Sequence, residues 1–211
     1  MKGSVLSFPD RGHWGDARYR GNCSGHVVRV LLEWYRPGLF VDPMEGSRTS
    51  REAAADMGVP YVGLDLRDGY DLVSQSLIER LPRPADLVFV HPPYWTMIPY
   101  SGKVWGEAPD PRDLSHRPTY QDYLRLLGRA LGNAMTAIAP GGHLAVLVGD
   151  IRQRGRYYSP QAEIVRWDLG VLEGILIKVQ HNTSSEGKAY AGRFVPILHE
   201  YLIVFRSEKG P

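Results

Sequence analysis

A short segment after an apolar run combines a histidine, two prolines and a tyrosine. His91, Pro92, Pro93 and Tyr94 follow residues 87–90, LVFV, which have the composition of a buried strand. Consecutive prolines form a stiff turn whose carbonyl groups a following helix cannot satisfy, so we expect these carbonyls to point into a cleft. Carbonyl oxygens accept hydrogen bonds from an amino group, and an aromatic ring stacks on a planar ring. The segment therefore predicts a site for a planar substrate with an exocyclic amino group.

A second segment that could bind a ligand follows the apolar run at residues 39–41. Residues 42–50 contain a Gly-Ser turn and lead directly into a helical pattern, which brings backbone N–H groups and the positive end of a helix dipole to one place. About 20 residues further on, Asp65 ends another apolar run, where an acidic side chain can accept hydrogen bonds from both hydroxyls of a ribose. Together these features favour an adenosine-containing cofactor. An ordinary turn between a strand and a helix is the alternative.

The elements that must position these segments are indicated by runs of apolar residues. Such runs on consecutive positions predict strands covered on both faces, as in a parallel sheet. The chain ends with two apolar runs that are joined by polar residues without a helical pattern, so they should pair antiparallel. The predicted fold class is α/β, Rossmann-like, with a mostly parallel sheet, helices on both faces and a C-terminal antiparallel hairpin strand. Strands are predicted around residues 39–41, 61–64, 87–90, 144–148, 173–181 and 197–207, helices over 50–57, 120–138 and 159–169, and a turn at 139–142.

The composition is that of an ordinary globular protein. The 211 residues include 25 Lys and Arg against 23 Asp and Glu, and 43% are hydrophobic. This balance excludes disordered, collagen-like and disulfide-scaffold classes. The lone cysteine, Cys23, favours a reducing compartment, and neither a signal peptide nor a membrane span is apparent. We therefore expect a single cytoplasmic domain, residues 1–211, without membrane association.

Two motifs resemble those of the DNA amino-methyltransferases, which use S-adenosyl-L-methionine to methylate the amino group of adenine or cytosine. Residues 42–49, DPMEGSRT, are similar to the cofactor motif of that family (D-P-F-x-G-S-G-T), and residues 91–94, HPPY, to its catalytic motif ([DNS]-P-P-[YFW]). The resemblance extends from about Gly21 to Arg206 and implies a Rossmann-like methyltransferase fold. By the same resemblance, we expect an N-terminal segment of about residues 1–38 to cover the cofactor, and we expect no separate target-recognition domain.

The resemblance also implies roles for individual residues. His91, Pro92, Pro93 and Tyr94 would be catalytic. Residues 19–24 would cover the methionine end of the cofactor. The residues implied to bind the cofactor are Asn22, Cys23, Ser24, Asp42, Pro43, Met44, Gly46, Ser47, Thr49, Asp65 and Leu66.

Three departures from the family pattern stand out. Arg48 replaces a usual glycine, which crowds the turn and directs a side chain outward. His91 replaces Asp, Asn or Ser, and it can act as a hydrogen-bond acceptor only when neutral. The interval between Asp65 and Asp86 is too short for a helix, a strand and a helix, so the third strand of the family should be short or missing, reduced at most to residues 69–71.

Contacts to the substrate are expected from three segments at the same edge of the sheet. Aromatic residues of the loop at 94–106 could stack on an extruded base, although core packing under a lid is an equal alternative. Basic residues after residue 150 could contact phosphates, and polar residues of the hairpin at 180–188 could bind base edges, although for each of these segments a solvated loop without such a role is an equal alternative. The candidate residues are Trp95, Tyr100, Trp105, Arg152, Arg154, His181 and Asn182.

The expected partner is DNA, either single-stranded or double-stranded with the target base flipped out. An RNA or tRNA amino-methyltransferase is an alternative, and so is a non-catalytic subunit that binds cofactor or DNA in a modification complex. A homodimer is compatible with the sequence. The spacing of His181 and His199 does not suit a metal site, so we expect no metal.

Overall fold

In the computed structural model, residues 3–181 and 195–208 are described, and within them seven strands form one sheet. The order across the sheet is β1-β8-β9-β5-β4-β2-β3, and two further strands, β6 and β7, form a separate hairpin. The strands are β1 (Val5–Ser7), β2 (Phe40–Asp42), β3 (Tyr61–Gly63), β4 (Ala85–Val90), β5 (Ile138–Val148), β6 (Ile151–Gln153), β7 (Arg156–Tyr158), β8 (Val171–Val179) and β9 (His199–Arg206).

Helices cover both faces of the sheet. The helices are α1 (Gly25–Tyr35), α2 (Thr49–Asp56), α3 (Tyr120–Thr136) and α4 (Pro160–Ile164), and short 3₁₀ turns lie at Leu66–Asp68, Ile78–Arg80, Trp95–Met97 and Leu114–His116. Alternate residues of the central strands belong to two separate cores: Val88 and Val90 pack with α3 and α4, whereas Leu87 and Phe89 pack with α1 and α2. Both cores need apolar residues, which is why β4 is apolar at consecutive positions.

The predicted fold class is confirmed. Strand β9 lies antiparallel between β5 and β8, and the other pairs of the large sheet are parallel. Helix α3 begins at the predicted residue because Thr119 caps it, accepting a hydrogen bond from the N–H of Asp122. The described residues 64–84 contain 3₁₀ turns and no strand, as their short length predicts.

Some boundaries differ from the predictions. The turn predicted at residues 139–142 lies inside β5, where the pairing with β4 shifts and Gly141 has a φ of +77°. Helix α4 ends at Ile164 rather than at residue 169, and the chain turns into β8 at Gly170, which has a φ of +102°. Helix α1 and strand β1 have no counterpart among the predicted elements.

Candidate active site

Two neighbouring cavities open beside the carboxyl ends of β2 and β4. The first cavity, of about 800 Å³, lies over the turn that follows β2. The second cavity, of about 730 Å³, lies between the loop after β4 and the adjacent ends of β8 and β9. His91, Tyr100, Gly21 and Asn22 line both. Because these residues border both cavities, two ligands bound in them would meet beside His91.

Most of the residues with a predicted cofactor role line the first cavity. They come from the N-terminal segment, from the turn after β2 and from the end of β3, which the sheet brings together at one edge. These residues are Asn22, Cys23, Asp42, Pro43, Met44, Gly46, Ser47, Thr49, Asp65 and Leu66.

Asp42 holds the turn after β2 in shape. Its Oδ1 accepts a hydrogen bond from the N–H of Met44 at 3.0 Å, and its Oδ2 accepts one from the hydroxyl of Ser50 at 2.5 Å. Burial raises the pKa of the Asp42 carboxyl to about 7. This side chain therefore organises the floor of the first cavity.

Asp65 joins the same turn to the end of β3. Its Oδ2 accepts from the N–H of Gly46 and its Oδ1 from the N–H of Arg67, each at 2.9 Å. Burial raises the pKa of Asp65 above its ordinary value. Because each carboxylate oxygen has a second lone pair, Asp65 can still accept hydrogen bonds from a ligand in the first cavity.

The N-terminal segment packs against this turn through Asn22. The Asn22 Oδ1 accepts from the Thr49 hydroxyl at 2.5 Å, and its Nδ2 donates to the carbonyl of Asp16 at 2.9 Å. Cys23 is buried, and burial raises the pKa of its thiol to about 12, so it is not a nucleophile. The expectation for Ser24 needs correction: it lines neither cavity but caps α1, accepting from the N–H of His26.

His91 ends a line of polar contacts that starts on the last two strands. Lys178 Nζ lies 2.7 Å from Glu200 Oε2, and the hydroxyl of Tyr94 donates to Glu200 Oε1 at 2.7 Å. The Tyr94 oxygen lies 3.0 Å from His91 Nε2. We call these four residues the Glu200 cluster, and all four line the second cavity.

Burial favours a neutral His91 in the Glu200 cluster. Burial lowers the pKa of His91 to about 4, and this outweighs the opposite effect of Glu200. Although burial alone would raise the pKa of Glu200, the ammonium group of Lys178 holds it below its ordinary value. At neutral pH the cluster therefore contains one ion pair and an uncharged imidazole.

One of the two proline carbonyls that were expected to point into a cleft is engaged by a hydrogen bond within the protein. The carbonyl of Pro93 accepts a hydrogen bond from the hydroxyl of Tyr123 at 2.8 Å, so it is engaged by α3. Pro92 lines the second cavity, and Pro93 lines the first. Among these carbonyls, Pro92 is therefore the remaining candidate acceptor.

Tyr94 lies deeper than the rim position expected for a stacking residue. A Cβ atom at Gly149 would lie 2.8 Å from its ring, and its hydroxyl is bound by Glu200. The ring still lines the second cavity. The Tyr94 ring is thus held in place by its close packing against Gly149 and by the hydrogen bond from its hydroxyl to Glu200, and it presents an aromatic surface to the second cavity.

Trp95 belongs to the core and not to the cleft, which corrects its expected contact with substrate. The backbone at Trp95 has a φ of +45°, its indole packs against Tyr120 and Tyr158, and its N–H donates to the carbonyl of Arg117. Trp105 also lines neither cavity, because it bridges to Ser101 in a turn. Tyr100, the third aromatic residue of this loop that was predicted to contact the substrate, lines both cavities.

The predicted basic loop is a hairpin made by β6 and β7. Arg154 is exposed at its tip, and the guanidinium of Arg152 lies over the ring of Tyr157 and donates to the carbonyl of Val195. Neither arginine lines the cavities. His181 lines the second cavity, and Asn182 lies outside the described residues.

Several residues that line the cavities have no predicted role. Glu200 and Lys178 are direct partners across β8 and β9, and a charged pair on two paired apolar strands is a signal that could have indicated them. The segment between β3 and β4 adds Tyr70, Asp71, Leu72 and Val73 to the lining of the first cavity.

Across residues 3–181 and 195–208, no group of three or more His, Cys, Asp or Glu side chains could hold a metal ion. Within the same residues, no helix is long and apolar enough to cross a membrane.

Comparisons with known proteins give similar structures but no matching sequence. No protein-family model matches the chain, and no curated protein matches it. TTHA0409 of Thermus thermophilus, named as a candidate DNA modification methylase and solved with S-adenosyl-L-methionine, is 22% identical with a TM-score of 0.43, over 67% of this chain and 54% of that one. TrmN from Thermus thermophilus is 16% identical with a TM-score of 0.47, over 90% of this chain and 51% of that one.

A third similar structure is the N-methyltransferase NodS from Bradyrhizobium japonicum WM9. It is 12% identical with a TM-score of 0.45, over 87% of this chain and 93% of that one. The chain spans about half the length of TTHA0409 and of TrmN.

Proposed function

We propose that this protein transfers a methyl group from S-adenosyl-L-methionine to the exocyclic amino group of adenine or cytosine in DNA. The observation that carries the proposal is the meeting of two cavities at His91, one over the Asp42–Thr49 turn and one behind the Pro92-Pro93-Tyr94 turn. This arrangement suits a transfer between two ligands that are bound side by side.

The chemistry of the first cavity fits the cofactor. Asp65 provides carboxylate oxygens for ribose hydroxyls, and the residues around it combine apolar surface with a few polar groups, as nucleoside sites do. Asn22 and Cys23 would enclose the methionine end near His91. When bound, the cofactor supplies an electrophilic methyl group on a positively charged sulfur.

The residues around the second cavity would prepare the amino group. Its nitrogen is a weak nucleophile because its lone pair is delocalised into the ring. Neutral His91 and the carbonyl of Pro92 would accept hydrogen bonds from the two N–H groups of this amino nitrogen. These hydrogen bonds favour a pyramidal nitrogen with a free lone pair. The ring of Tyr94 would stack on the base, a contact worth about 1–3 kcal/mol.

The target base must leave a duplex to enter the second cavity, or it must come from a single strand. Tyr100 and His181 line that cavity and would contact the base or its neighbours. Arg152 and Arg154, on the hairpin outside it, would contact phosphates and so position the strand. A cytoplasmic location and a homodimer stay predictions of the sequence.

Methyl transfer to defined nucleic acids tests the proposal. The purified protein is incubated with methyl-labelled S-adenosyl-L-methionine and double-stranded DNA, single-stranded DNA or RNA, and the nucleosides are then identified by mass spectrometry. We expect N6-methyladenine or N4-methylcytosine in DNA, and a loss of about 100-fold in rate for His91→Phe, which removes the acceptor.

Each other outcome contradicts a part of the proposal. Label in RNA alone would support an RNA amino-methyltransferase instead. Cofactor binding without transfer to any nucleic acid would support a non-catalytic subunit. A His91→Phe rate equal to that of the wild type would remove His91 from the reaction.

A further inference from the structure

The Glu200 cluster determines which nitrogen of His91 carries a proton. Glu200 is ionised and can only accept hydrogen bonds, whereas the ammonium of Lys178 can only donate them. Lys178 donates to Glu200 Oε2, and the hydroxyl of Tyr94 donates its single proton to Glu200 Oε1. The Tyr94 oxygen is then left as an acceptor.

The contact between Tyr94 and His91 follows from this direction. Because the Tyr94 oxygen accepts, His91 Nε2, 3.0 Å away, must be the donor. A neutral imidazole has one N–H, so a proton on Nε2 leaves the lone pair on Nδ1. Each hydrogen bond therefore orients the next one, from the Lys178 ammonium to the ring of His91.

We propose that Lys178, Glu200 and Tyr94 are positioning residues that fix His91 as the Nε2–H tautomer, so that Nδ1 is the acceptor offered to the substrate amino group. The assignment of the tautomer rests on the hydrogen bonds of the cluster together with an ionised Glu200 and a neutral His91. Its role in the reaction deepens the function proposed above and rests on it.

This arrangement would also select the chemical class of substrate. A lone pair on Nδ1 attracts an amino group and opposes a carbonyl oxygen, because two acceptors repel each other. An acceptor that has been removed from water and has no donor is unfavourable. Bases that present a carbonyl at this position would therefore be rejected, and bases that present an amino group would be accepted.

A Glu200→Gln variant tests the proposal because it should reverse two hydrogen bonds, the one between residue 200 and Tyr94 and the one between Tyr94 and His91. Lys178 still needs an acceptor, so the amide oxygen would turn to Lys178 and the amide NH₂ would donate to the Tyr94 oxygen. The Tyr94 hydroxyl would then donate to His91 Nε2, and the His91 proton would move to Nδ1. The change preserves size and shape, so the fold should be retained.

Nitrogen-15 NMR of the histidine-labelled protein at pH 7 reads the tautomer directly. The His91 signal is assigned by its loss in His91→Asn. We expect the proton on Nε2 in the wild type and on Nδ1 in Glu200→Gln. Glu45→Gln, which changes a buried carboxylate outside the cluster, should leave the wild-type tautomer unchanged. A wild-type proton on Nδ1, or the same tautomer in both the wild type and Glu200→Gln, overturns the proposal.

A second variant covers the case in which Glu200→Gln does not fold. Tyr94→Phe keeps the ring and removes the link between Glu200 and His91, so the population of the Nδ1–H tautomer should rise. An unchanged tautomer population in Tyr94→Phe counts against the proposal.

Rates of methyl transfer separate this inference from the proposed function. At saturating cofactor, Glu200→Gln should lower the rate on DNA about 100-fold while the Kd of S-adenosyl-L-methionine stays unchanged. An unchanged rate would overturn the role of the tautomer in the reaction. A wild-type protein with the Nε2–H tautomer and no transfer to any nucleic acid would instead overturn the proposed function, and the tautomer assignment would stand.

Discussion

Two clusters in this molecule are built from the same chemical parts and lie beside different cavities. In the Glu45 cluster, the hydroxyl of Tyr61 donates to Glu45 Oε2 at 3.0 Å, and Arg51 binds both oxygens of the same carboxylate. The Glu200 cluster likewise joins a tyrosine hydroxyl, a buried carboxylate and a cation. Each cluster therefore holds a carboxylate in place within the protein.

The clusters differ in where they end. The side chain of Arg51 is 49% exposed, so the Glu45 cluster ends in solvent. The side chain of Lys178 is 13% exposed, and the Glu200 cluster ends on an imidazole between two cavities. The comparison indicates that one set of interactions anchors a turn, whereas a similar set orients a group that can take part in chemistry.

The largest expected effect is the loss of the cation that is the more buried of the two. Lys178→Met leaves the Glu200 carboxylate buried without its charged partner, which typically costs about 3–5 kcal/mol. Arg51→Met also leaves a buried carboxylate, because the Glu45 side chain is 1% exposed, but the guanidinium that it removes is 49% exposed and water screens its attraction to Glu45, so its cost should be smaller. Urea unfolding of both variants at pH 7 measures the difference, and equal losses would show that the two clusters are equivalent.

The next effect concerns the pH dependence of stability caused by His91. The pKa of His91 is about 4 in the folded protein, against an ordinary value of 6.5, so the unfolded chain binds more protons between these values. The stabilisation contributed by a neutral His91 is therefore present above pH 6.5 and lost as pH falls toward 4. At pH 5 the loss should be about 2 kcal/mol relative to pH 7.

His91→Asn isolates this contribution, because it lacks the titrating ring. Asp42, whose pKa of about 7 acts in the opposite direction, is present in both proteins and cancels in the comparison. Urea unfolding at pH 7 and pH 5 should show a loss about 2 kcal/mol greater in the wild type. The same pH dependence in both proteins would mean that His91 is as accessible to water as an exposed histidine.

The sequence predicts the sheet because its strands carry a strong signal. Residues 87–90 and 144–148 are apolar at every position, and this happens when two cores cover both faces. The edge strand β1 has three residues and only Leu6 is buried, so its pattern is too short to recognise.

The site is only partly predictable from the sequence, for a different reason. Whether an aromatic residue in a loop faces the core or the cleft depends on backbone angles, and the φ of +45° at Trp95 is not implied by its neighbours. The Glu200 cluster depends on the register of β8 against β9, which pairs Lys178 with Glu200. Register is fixed by the whole sheet and not by either strand alone.

A smaller effect is expected at Asp65, which lines the first cavity together with Glu45. Asp65→Ala should weaken S-adenosyl-L-methionine binding at least tenfold, about 1.4 kcal/mol, because hydrogen bonds to the ribose are lost. Asp68→Ala removes an exposed carboxylate three residues away and serves as the control. Calorimetric titration gives both Kd values. An Asp65→Ala protein that folds and retains the wild-type Kd would show that this end of the cavity does not bind the cofactor through Asp65.

The smallest effect concerns Arg48, which lies in the turn between Glu45 and Arg51. Its backbone has a φ of 69° and a ψ of 23°, a left-handed conformation that costs an L side chain about 1–2 kcal/mol. Glycine adopts these angles freely but loses more entropy on folding, about 0.5–1 kcal/mol. Arg48 is exposed and its side chain makes no capping hydrogen bond, so we expect the loss of this side chain to cost little stability. Arg48→Gly should therefore raise the free energy of unfolding by about 0.5–1 kcal/mol. Urea unfolding at pH 7 measures this gain, and a loss of stability would show that the Arg48 side chain itself supports the turn that carries the Glu45 cluster.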